Sequence, residues 1–258
     1  MEPTSHVSVD VLVLRYDRAL RQLRLGLHER TLEPFAGWPA LPGVLLLRGE
    51  RIRDAAARAL AKVQLTARGS GQLVTFDEPS RDPRGPTLSV ATWAVTDDIG
   101  TARWSGWDER PPLAFDHDRI VTDCRPLLAG MLWRDPSFTR LLTGAEFPVT
   151  DALALHQALT GAAPDRGNLN RTLATIPGLH RTDRQASTGR GRPSTIWAWS
   201  PSPPPRPPRP PPPPPPRLFA GARPPPPPLA HPLTPAPPPP ARADHLRRRG
   251  STHTECDW

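Results

Sequence analysis

Proline is concentrated in one segment of this chain, and that segment limits where a folded core can form. Of the 39 prolines, 24 lie in residues 201–240, and the run Pro210–Pro216 contains no other residue type. Consecutive prolines adopt the polyproline II conformation, which has no internal hydrogen bonds and buries no apolar face. We therefore expect residues 201–258 to be a disordered Pro/Arg-rich tail, and a hydrophobic core to lie within residues 1–200.

Two alternatives for this tail stay open, and the tail also carries much of the positive charge. A frame-shifted or read-through C-terminus would have the same composition, and the sequence PPPRPPRP fits an SH3-type partner. The formal net charge is +8, and residues 201–258 contain eight arginines against three acids. The tail thus accounts for +5 and residues 1–200 for +3, so the high pI is partly a property of the tail.

The first 110 residues show the pattern of an α+β domain. Residues 7–14 and 23–28 alternate apolar and polar side chains, which predicts a hairpin that opens a mixed sheet. A helix that starts near Arg51 follows, and then two more strands are expected at Gln72–Phe76 and Thr87–Val95. Strands, a helix and further strands indicate an α+β sandwich.

The segment Leu41–Leu65, LPGVLLLRGERIRDAAARALAKVQL, resembles the Nudix box, Gly-x5-Glu-x7-Arg-Glu-(apolar)-x-Glu-Glu-x-Gly. Glu50 and Arg58 match the box. Other positions depart from it: Val44 and Leu65 stand in place of glycines, and three glutamates are replaced by Ala59, Lys62 and Val63. The flanking segments EPFAGWPALPG and DEPSRDPRGPTLSVATWAV are also similar to those of ADP-ribose-type Nudix proteins.

The replaced glutamates bear on catalysis. Magnesium at a diphosphate is held by carboxylates one helical turn apart, and Glu50 alone is not a site. We therefore predict no catalytic residues, no metal site and no cofactor. Two alternatives stay open: an ordinary amphipathic helix with Ile52, Ala56, Ala59, Leu60 and Val63 facing a core, or a Nudix hydrolase with relocated ligands, in which Glu50 binds Mg²⁺ together with Asp54, Asp77 or Glu78.

From Phe147 onward the sequence predicts a helix-turn-helix. The first helix would have Thr150 or Asp151 as its N-cap and end at Gly161, and Asp165 would cap a second helix, RGNLNRTLATI. Leu169, Leu173 and Ile176 would face inward on the second helix. The remaining sequence, GLHRTDRQASTGRGRPSTIWAW, predicts two short strands around an Arg-rich tip, as in the wing of a winged helix. Residues 162–200 hold six arginines against two aspartates, which favours phosphate binding over a solvated charged face.

The order of these motifs, together with LAFDHDRI before the helix Arg119–Trp133, resembles the Nudix-related transcriptional regulators of NAD metabolism. The resemblance covers about residues 5–200. It implies a Nudix-type α/β/α sandwich followed by a winged helix-turn-helix domain, and the disordered tail expected from composition lies outside it. The implied domains are a sensor at 1–110, a linker and connecting helix at 111–146, a DNA-binding domain at 147–200 and the tail at 201–258.

The resemblance also implies a function and partners. It predicts a DNA-binding regulator, acting as a repressor, whose degenerate Nudix domain senses ADP-ribose or a related nucleotide or sugar metabolite. Its partners would be operator DNA, that effector and a second copy in a homodimer. The two cysteines share no metal-type spacing and no segment resembles a membrane span, so we expect a cytoplasmic, nucleoid-associated protein without membrane contact. A scaffold acting through the Pro-rich tail is a third possibility.

Candidate site residues follow from these assignments. Guanidinium groups match phosphate oxygens, so Arg81 and Arg84 are predicted to hold the effector's diphosphate, unless they form loop salt bridges with Asp82 or Asp77. Either Phe35 or Trp38 would stack on its adenine, and Glu50 and Arg58 complete the effector-binding set. Arg and Asn side chains read bases and phosphates, and the predicted DNA-binding set is Arg166, Asn168, Asn170, Arg171, Arg184, Arg190 and Arg192.

Overall fold

The computed structural model describes residues 5–186 and 194–201. Its first strand, β1, is apolar on both sides because both of its faces are buried. Val9, Val11 and Val13 contact one helix layer, and Leu12 and Leu14 face the opposite layer. The first part of the chain contains β1 (His6–Asp17), β2 (Gln22–Glu29), β3 (Pro39–Ala40), β4 (Gly43–Leu45), α1 (Ile52–Ala61), β5 (Gly69–Phe76), β6 (Thr87–Val95) and β7 (Arg103–Gly106).

Seven strands of the described residues form one mixed sheet with β1 near its centre. The order is β3-β2-β1-β6-β5, with β4 paired to β1 and β7 paired to β2. β1 runs antiparallel to β2 and parallel to β6, with Val9 opposite Val90. Helix α1 packs on one face through Ala55, Ala59 and Leu60. The predicted hairpin, box helix and two later strands are therefore confirmed.

The other face of the sheet is covered by helices from the second part of the chain. Trp93 of β6 packs edge-to-face on Phe138, with ring centroids 4.9 Å apart. These later elements are α2 (His117–Met131), α3 (Pro136–Thr143), β8 (Glu146–Pro148), α4 (Val149–Thr160), α5 (Arg166–Ala174), β9 (Leu179–Ala186) and β10 (Ser194–Trp199). The α/β/α sandwich expected from the sequence is confirmed.

The C-terminal elements follow the predicted order, with one wrong boundary. Asp165 caps α5 by accepting a hydrogen bond from the Asn168 backbone N–H, at 2.7 Å, and β9 and β10 pair antiparallel as expected. The predicted N-cap of α4 at Thr150 or Asp151 is wrong, because the helix begins at Val149 directly after Pro148. Asp151 lies instead in the first turn of α4, where it is buried.

One hydrophobic cluster connects the sheet with the C-terminal helices. It includes Leu12 of β1, Ile120 of α2, Leu155 of α4 and Trp197 of β10. The described residues lie within one compact unit, Met1–Pro204. The predicted domain boundaries at 110 and 146 stay predictions. No helix in the described ranges is long and apolar enough to cross a membrane.

Candidate functional site

The two residues that match the Nudix box bind each other. Arg58 donates from Nε and from one terminal nitrogen to the two carboxylate oxygens of Glu50, at 2.9 and 2.8 Å. The Leu47 backbone N–H also donates to Glu50, at 2.9 Å. These hydrogen bonds lower the pKa of Glu50, and those from Arg58 have the largest effect. Both oxygens of Glu50 are therefore already engaged.

The replaced glutamate positions offer no ligands for Mg²⁺. Ala59 and Val63 are buried against the sheet, and the Lys62 ammonium donates to the Gly43 carbonyl at 2.9 Å. Burial lowers the pKa of Lys62, with the charge of Arg58 adding to the effect. A divalent cation would meet two positive side chains and one occupied carboxylate, so these residues do not fit the metal that a Nudix fold implies.

The carboxylates of the relocated-ligand alternative are exposed or paired with arginines. Asp54 is exposed beside Arg53, and Glu78 pairs with Arg119 at 2.5 Å. In residues 5–186 and 194–201, no group of three or more His, Cys, Asp or Glu side chains could hold a metal ion. Glu50 itself forms its salt bridge with Arg58.

A cleft of about 240 Å³ lies beside the start of β1 and is lined by several cationic side chains. Its walls come from β1, the segment after β2, β4, the Arg81–Arg84 loop and the start of α2. The lining residues used below are Asp10, Arg30, Lys62, Arg81, Arg84, Phe115 and His117. Arg30, Phe115 and His117 were not predicted as site residues.

Arg81, predicted to bind the effector's diphosphate, is held in a buried ion pair. Its guanidinium donates two hydrogen bonds to Asp116, at 3.0 and 2.7 Å, and lies 3.7 Å from Asp10. Only 4% of the Arg81 side chain is exposed. Its carboxylate partner is therefore neither Asp82 nor Asp77, as the salt-bridge alternative assumed, and the guanidinium links the wall of the cleft to α2.

Arg84 and Arg30 lie over the ring of Phe115. Arg84 pairs with Asp82, at 2.7 and 3.0 Å, as the salt-bridge alternative predicted, yet half of its side chain is exposed. Arg30 donates to the carbonyls of Pro34 and Leu32 and has no carboxylate partner among the described residues. The guanidinium carbons lie 4.5 Å (Arg30) and 5.4 Å (Arg84) from the ring centroid.

The positive charges of Arg30 and Arg84 repel each other in the cleft. Burial lowers the pKa of Arg30, and the neighbouring charge of Arg84 lowers it further. An anion between the two guanidinium groups would remove this repulsion and accept their free N–H groups. Arg30 and Arg84 are therefore better placed for a phosphate than Arg81, whose donors are already used.

The predicted stacking rings do not line the cleft directly. Phe35 contacts Phe115 edge-on, with centroids 4.9 Å apart, and Trp38 contacts Phe35 at 6.0 Å. Trp38 is 46% exposed. Phe115 is thus the aromatic ring in the cleft, and Phe35 supports it from behind.

His117 is buried as a neutral imidazole at the start of α2. Its Nδ1 accepts a hydrogen bond from the Leu41 backbone N–H at 3.0 Å, which leaves the proton on Nε2, 3.7 Å from Asp10. Burial lowers the pKa of His117 below its ordinary value of 6.5, although Asp10 opposes the shift. The histidine therefore binds fewer protons in the folded protein than in the unfolded chain.

This arrangement predicts a loss of stability in mild acid. Between pH 6.5 and the lowered pKa of His117, the unfolded chain takes up a proton that the folded protein excludes. The free energy of unfolding should fall there by up to about 1.4 kcal/mol per pH unit. Denaturation at pH 8, 6.5 and 5.5 should show a shallower fall for His117→Asn than for the wild type. Parallel curves would contradict the neutral assignment.

The candidate nucleic-acid interface is built around α5. Leu169 and Leu173 are buried against the core, whereas Arg166, in the first turn of the helix, and Arg171 are exposed. Asn168 is also exposed, and its side-chain oxygen accepts a hydrogen bond from Arg171. Three of the predicted DNA-binding residues are therefore exposed on the second helix.

The remaining predicted DNA-binding residues are placed differently. Asn170 is half-buried: its Nδ2 donates to the Arg166 carbonyl at 3.0 Å, and its Oδ1 accepts from the Trp197 indole at 3.3 Å. Its amide therefore joins α5 to β10, and the residue also lines the groove beside α5 described next. Arg184 pairs with Glu146. Arg190 and Arg192, at the expected wing tip, lie outside the described residues.

A groove of about 530 Å³ beside α5 adds two residues that the sequence prediction omitted. It is lined by Arg171 of α5, by Thr195 and Trp197 of β10, and by His180 and Arg181 of β9. Arg181 was counted only as part of the basic patch. Both residues belong to β9, and the pairing of β9 with β10, which brings them beside α5, could not be read from the sequence alone.

Comparisons with known proteins agree with this architecture. No family model matches the sequence. An ADP-ribose pyrophosphatase of Methanocaldococcus jannaschii is 29% identical over 126 residues, which are 45% of this chain and 71% of that protein.

Two solved structures share the fold over most of the chain. One is Shewanella oneidensis NrtR complexed with a 27mer DNA, with a TM-score of 0.61 and 24% identity over 75% of this chain and 93% of that chain. The other is a MutT/nudix family protein from Enterococcus faecalis, with a TM-score of 0.58 and 21% identity over 78% of this chain and 90% of that chain. The described part of the chain therefore shares its fold with NrtR and with this MutT/nudix family protein.

Proposed function

We propose that this protein is a ligand-responsive, DNA-binding transcriptional regulator that acts as a repressor. The observation that carries the proposal is the set of exposed polar side chains on α5, Arg166, Asn168 and Arg171, of which Arg171 lines a groove together with Arg181. Forked donors on a helix of this length match base edges and phosphates in a major groove. The similar fold of NrtR, solved in complex with DNA, supports this use of the helix pair.

The cleft at the start of β1 is proposed as the effector site. Arg30, Arg84 and the ring of Phe115 offer two cations and an aromatic face, which suit a phosphate attached to a sugar or a base. The archaeal relative is named for ADP-ribose, so ADP-ribose is the first effector to test. No metal is needed, because the arginines supply the positive charge.

The competing activity is hydrolysis of ADP-ribose, and one observation favours it: the archaeal relative is named as a pyrophosphatase. Against it stand the paired Glu50 and the replaced box positions. Binding without turnover is therefore the proposed role of the cleft.

We also propose that the protein binds DNA as a homodimer. A helix of the length of α5 contacts only a few base pairs, which is too few to define a site in a genome. Two copies would read a palindromic site with half-sites about 34–36 Å apart, or a multiple of that distance.

Selection of binding sites from a random DNA pool tests the regulator proposal. We expect an enriched, roughly palindromic motif. On that motif Arg171→Ala should weaken binding by roughly 1–3 kcal/mol and relax the preference at one position of each half-site. Arg103→Ala is the matched control, because it removes one exposed positive charge from β7, away from α5.

Two outcomes would refute DNA reading by α5. One is the absence of any enriched motif. The other is an equal loss of affinity for Arg171→Ala on the selected site and on random DNA, which would show only a basic patch that contacts phosphates.

Thermal unfolding tests the effector proposal. ADP-ribose at about 100 times its dissociation constant should stabilise the folded protein by roughly 2.7 kcal/mol, and EDTA should not abolish the shift. Arg30→Ala should reduce the shift strongly. Arg68→Ala should not, because Arg68 forms a surface pair with Asp97 and does not line the cleft. A shift that requires Mg²⁺, or one unaffected by Arg30→Ala, would contradict the proposed site.

A further inference from the structure

Two elements, strand β1 and helix α2, run from the cleft to helix α4. Strand β1 carries Ser8 and Asp10 in the cleft wall, and Arg18 follows directly after its last residue. Helix α2 starts in the cleft with His117 and carries Arg125 two turns later. Arg18 lies eight residues after Asp10, a span of roughly 26 Å along a strand. Arg125 likewise lies eight residues after His117, a span of about 12 Å along a helix.

The cleft ends of these two elements are bound to each other. Arg81 bridges Asp10 of β1 and Asp116, which precedes α2, and His117 Nε2 lies 3.7 Å from Asp10. Ser8 donates a hydrogen bond to Asp10 at 2.9 Å. A change in one member of this buried cluster therefore acts on both elements.

The far end of β1 holds the start of α4. Arg18 pairs with Asp151 in the first turn of the helix at 3.1 Å, and Asp151 is only 5% exposed. Arg18 also donates to the carbonyls of Thr143 and Glu146, just before α4. The turn that carries Arg18 is itself fixed, because the Asp17 side chain accepts hydrogen bonds from the backbone N–H groups of Ala19 and Leu20.

Arg125 of α2 holds the other end of α4. It donates two hydrogen bonds to the Ala158 carbonyl, at 3.0 and 2.6 Å. The last carbonyls of a helix lack partners within the helix itself, and that of Ala158 is one of them. Asp108 fixes the same guanidinium with two hydrogen bonds, at 2.7 and 3.0 Å. Both ends of α4 are thus held by arginines whose elements begin in the cleft.

We propose that Arg18 and Arg125 are positioning residues that transmit the state of the cleft to the DNA-binding helices. Helix α4 leads through a short loop to α5, so a shift of β1 relative to α2 would move α4 and with it the face that carries Arg171. The inference rests on the proposed function, because it states how the cleft regulates DNA binding.

The first test measures coupling in the full-length protein. The operator affinity of the wild type should change by roughly 5–150-fold when ADP-ribose is added, the usual range for allosteric coupling. In the double variant Arg18→Gln/Arg125→Gln, the ratio of operator affinities with and without ADP-ribose should fall to within about twofold of one. The double variant should still bind both DNA and ADP-ribose. Arg68→Gln, at a surface pair away from α4, should retain the wild-type ratio. A wild-type ratio in the double variant overturns the proposal. If the double variant does not fold, Arg125→Gln alone should lower the ratio, since its partner Asp108 is exposed.

A second test needs neither DNA nor effector, so it separates this inference from the proposed function. Asp10→Asn disturbs the buried cluster in the cleft wall that joins β1 to α2. If Asp10→Asn does not fold, Ser8→Ala is used in its place. Hydrogen exchange should then become faster in residues 149–160, and this change should be lost when Arg18→Gln and Arg125→Gln are also present. No change in α4, or the same change in both backgrounds, overturns the proposal. A wild type that binds neither ADP-ribose nor DNA refutes the proposed function instead.

Discussion

Replacing Arg81 with alanine should lower the free energy of unfolding by about 3–5 kcal/mol, the usual cost of leaving a buried charge without its partner. Arg81 is the cation between Asp10 and Asp116, and its side chain is 4% exposed. Without it, two carboxylates face each other in a wall of the cleft. Urea denaturation at pH 7.5 measures the effect.

Two variants show whether the loss comes from the buried pair. Arg68→Ala breaks a surface pair with Asp97 and should cost about 0.2–1 kcal/mol. Arg81→Lys keeps the charge but loses the two-point contact with Asp116, so its cost should lie between those of the alanine variants. If Arg81→Ala costs no more than Arg68→Ala, the ion pair does not anchor the cleft, and Arg81 becomes a candidate for the diphosphate again.

The local patterns of the sequence were enough to predict most of the sandwich. Alternation predicted β1 and β2, and the apolar positions of the box predicted α1, because each period is typical of one kind of element. The parallel pairing of β1 with β6 could not be predicted, since it joins residues about 80 positions apart. The short strands β3, β4, β7 and β8 carry too few residues to show a period.

The site was only partly predictable, because burial decides what an arginine does. Arg81 and Arg84 lie in the same loop and look equivalent in the sequence. Asp116, 35 residues away, takes up the donors of Arg81, whereas Arg84 stays half exposed. The role of Asp151 was misread for a similar reason. An aspartate near a helix start suggests an N-cap, but its partner Arg18 is 133 residues away.

Hydrolysis of ADP-ribose by the purified protein, with Mg²⁺ or Mn²⁺, should be at least roughly a thousandfold slower than about 1 per second. An ordinary enzyme reaches that rate, and the loss of even one charge-stabilising donor costs about 10²–10³. Here Ala59, Lys62 and Val63 replace three carboxylates, and Glu50 is held by Arg58 and the Leu47 N–H. Release of AMP, followed by chromatography, measures the rate.

Glu50→Gln, purified in the same way, distinguishes true turnover from a contaminating enzyme. Residual activity that is equal in both preparations is background, and the cleft then binds without reacting. Turnover near 1 per second that EDTA removes and Glu50→Gln abolishes would establish a hydrolase. Such a result would require Arg58 to release Glu50 and another acid, Asp54, Asp77 or Glu78, to approach it. In the described residues these acids form no group that could hold a metal ion, and metal-dependent protection from hydrogen exchange in α1 would reveal the rearrangement.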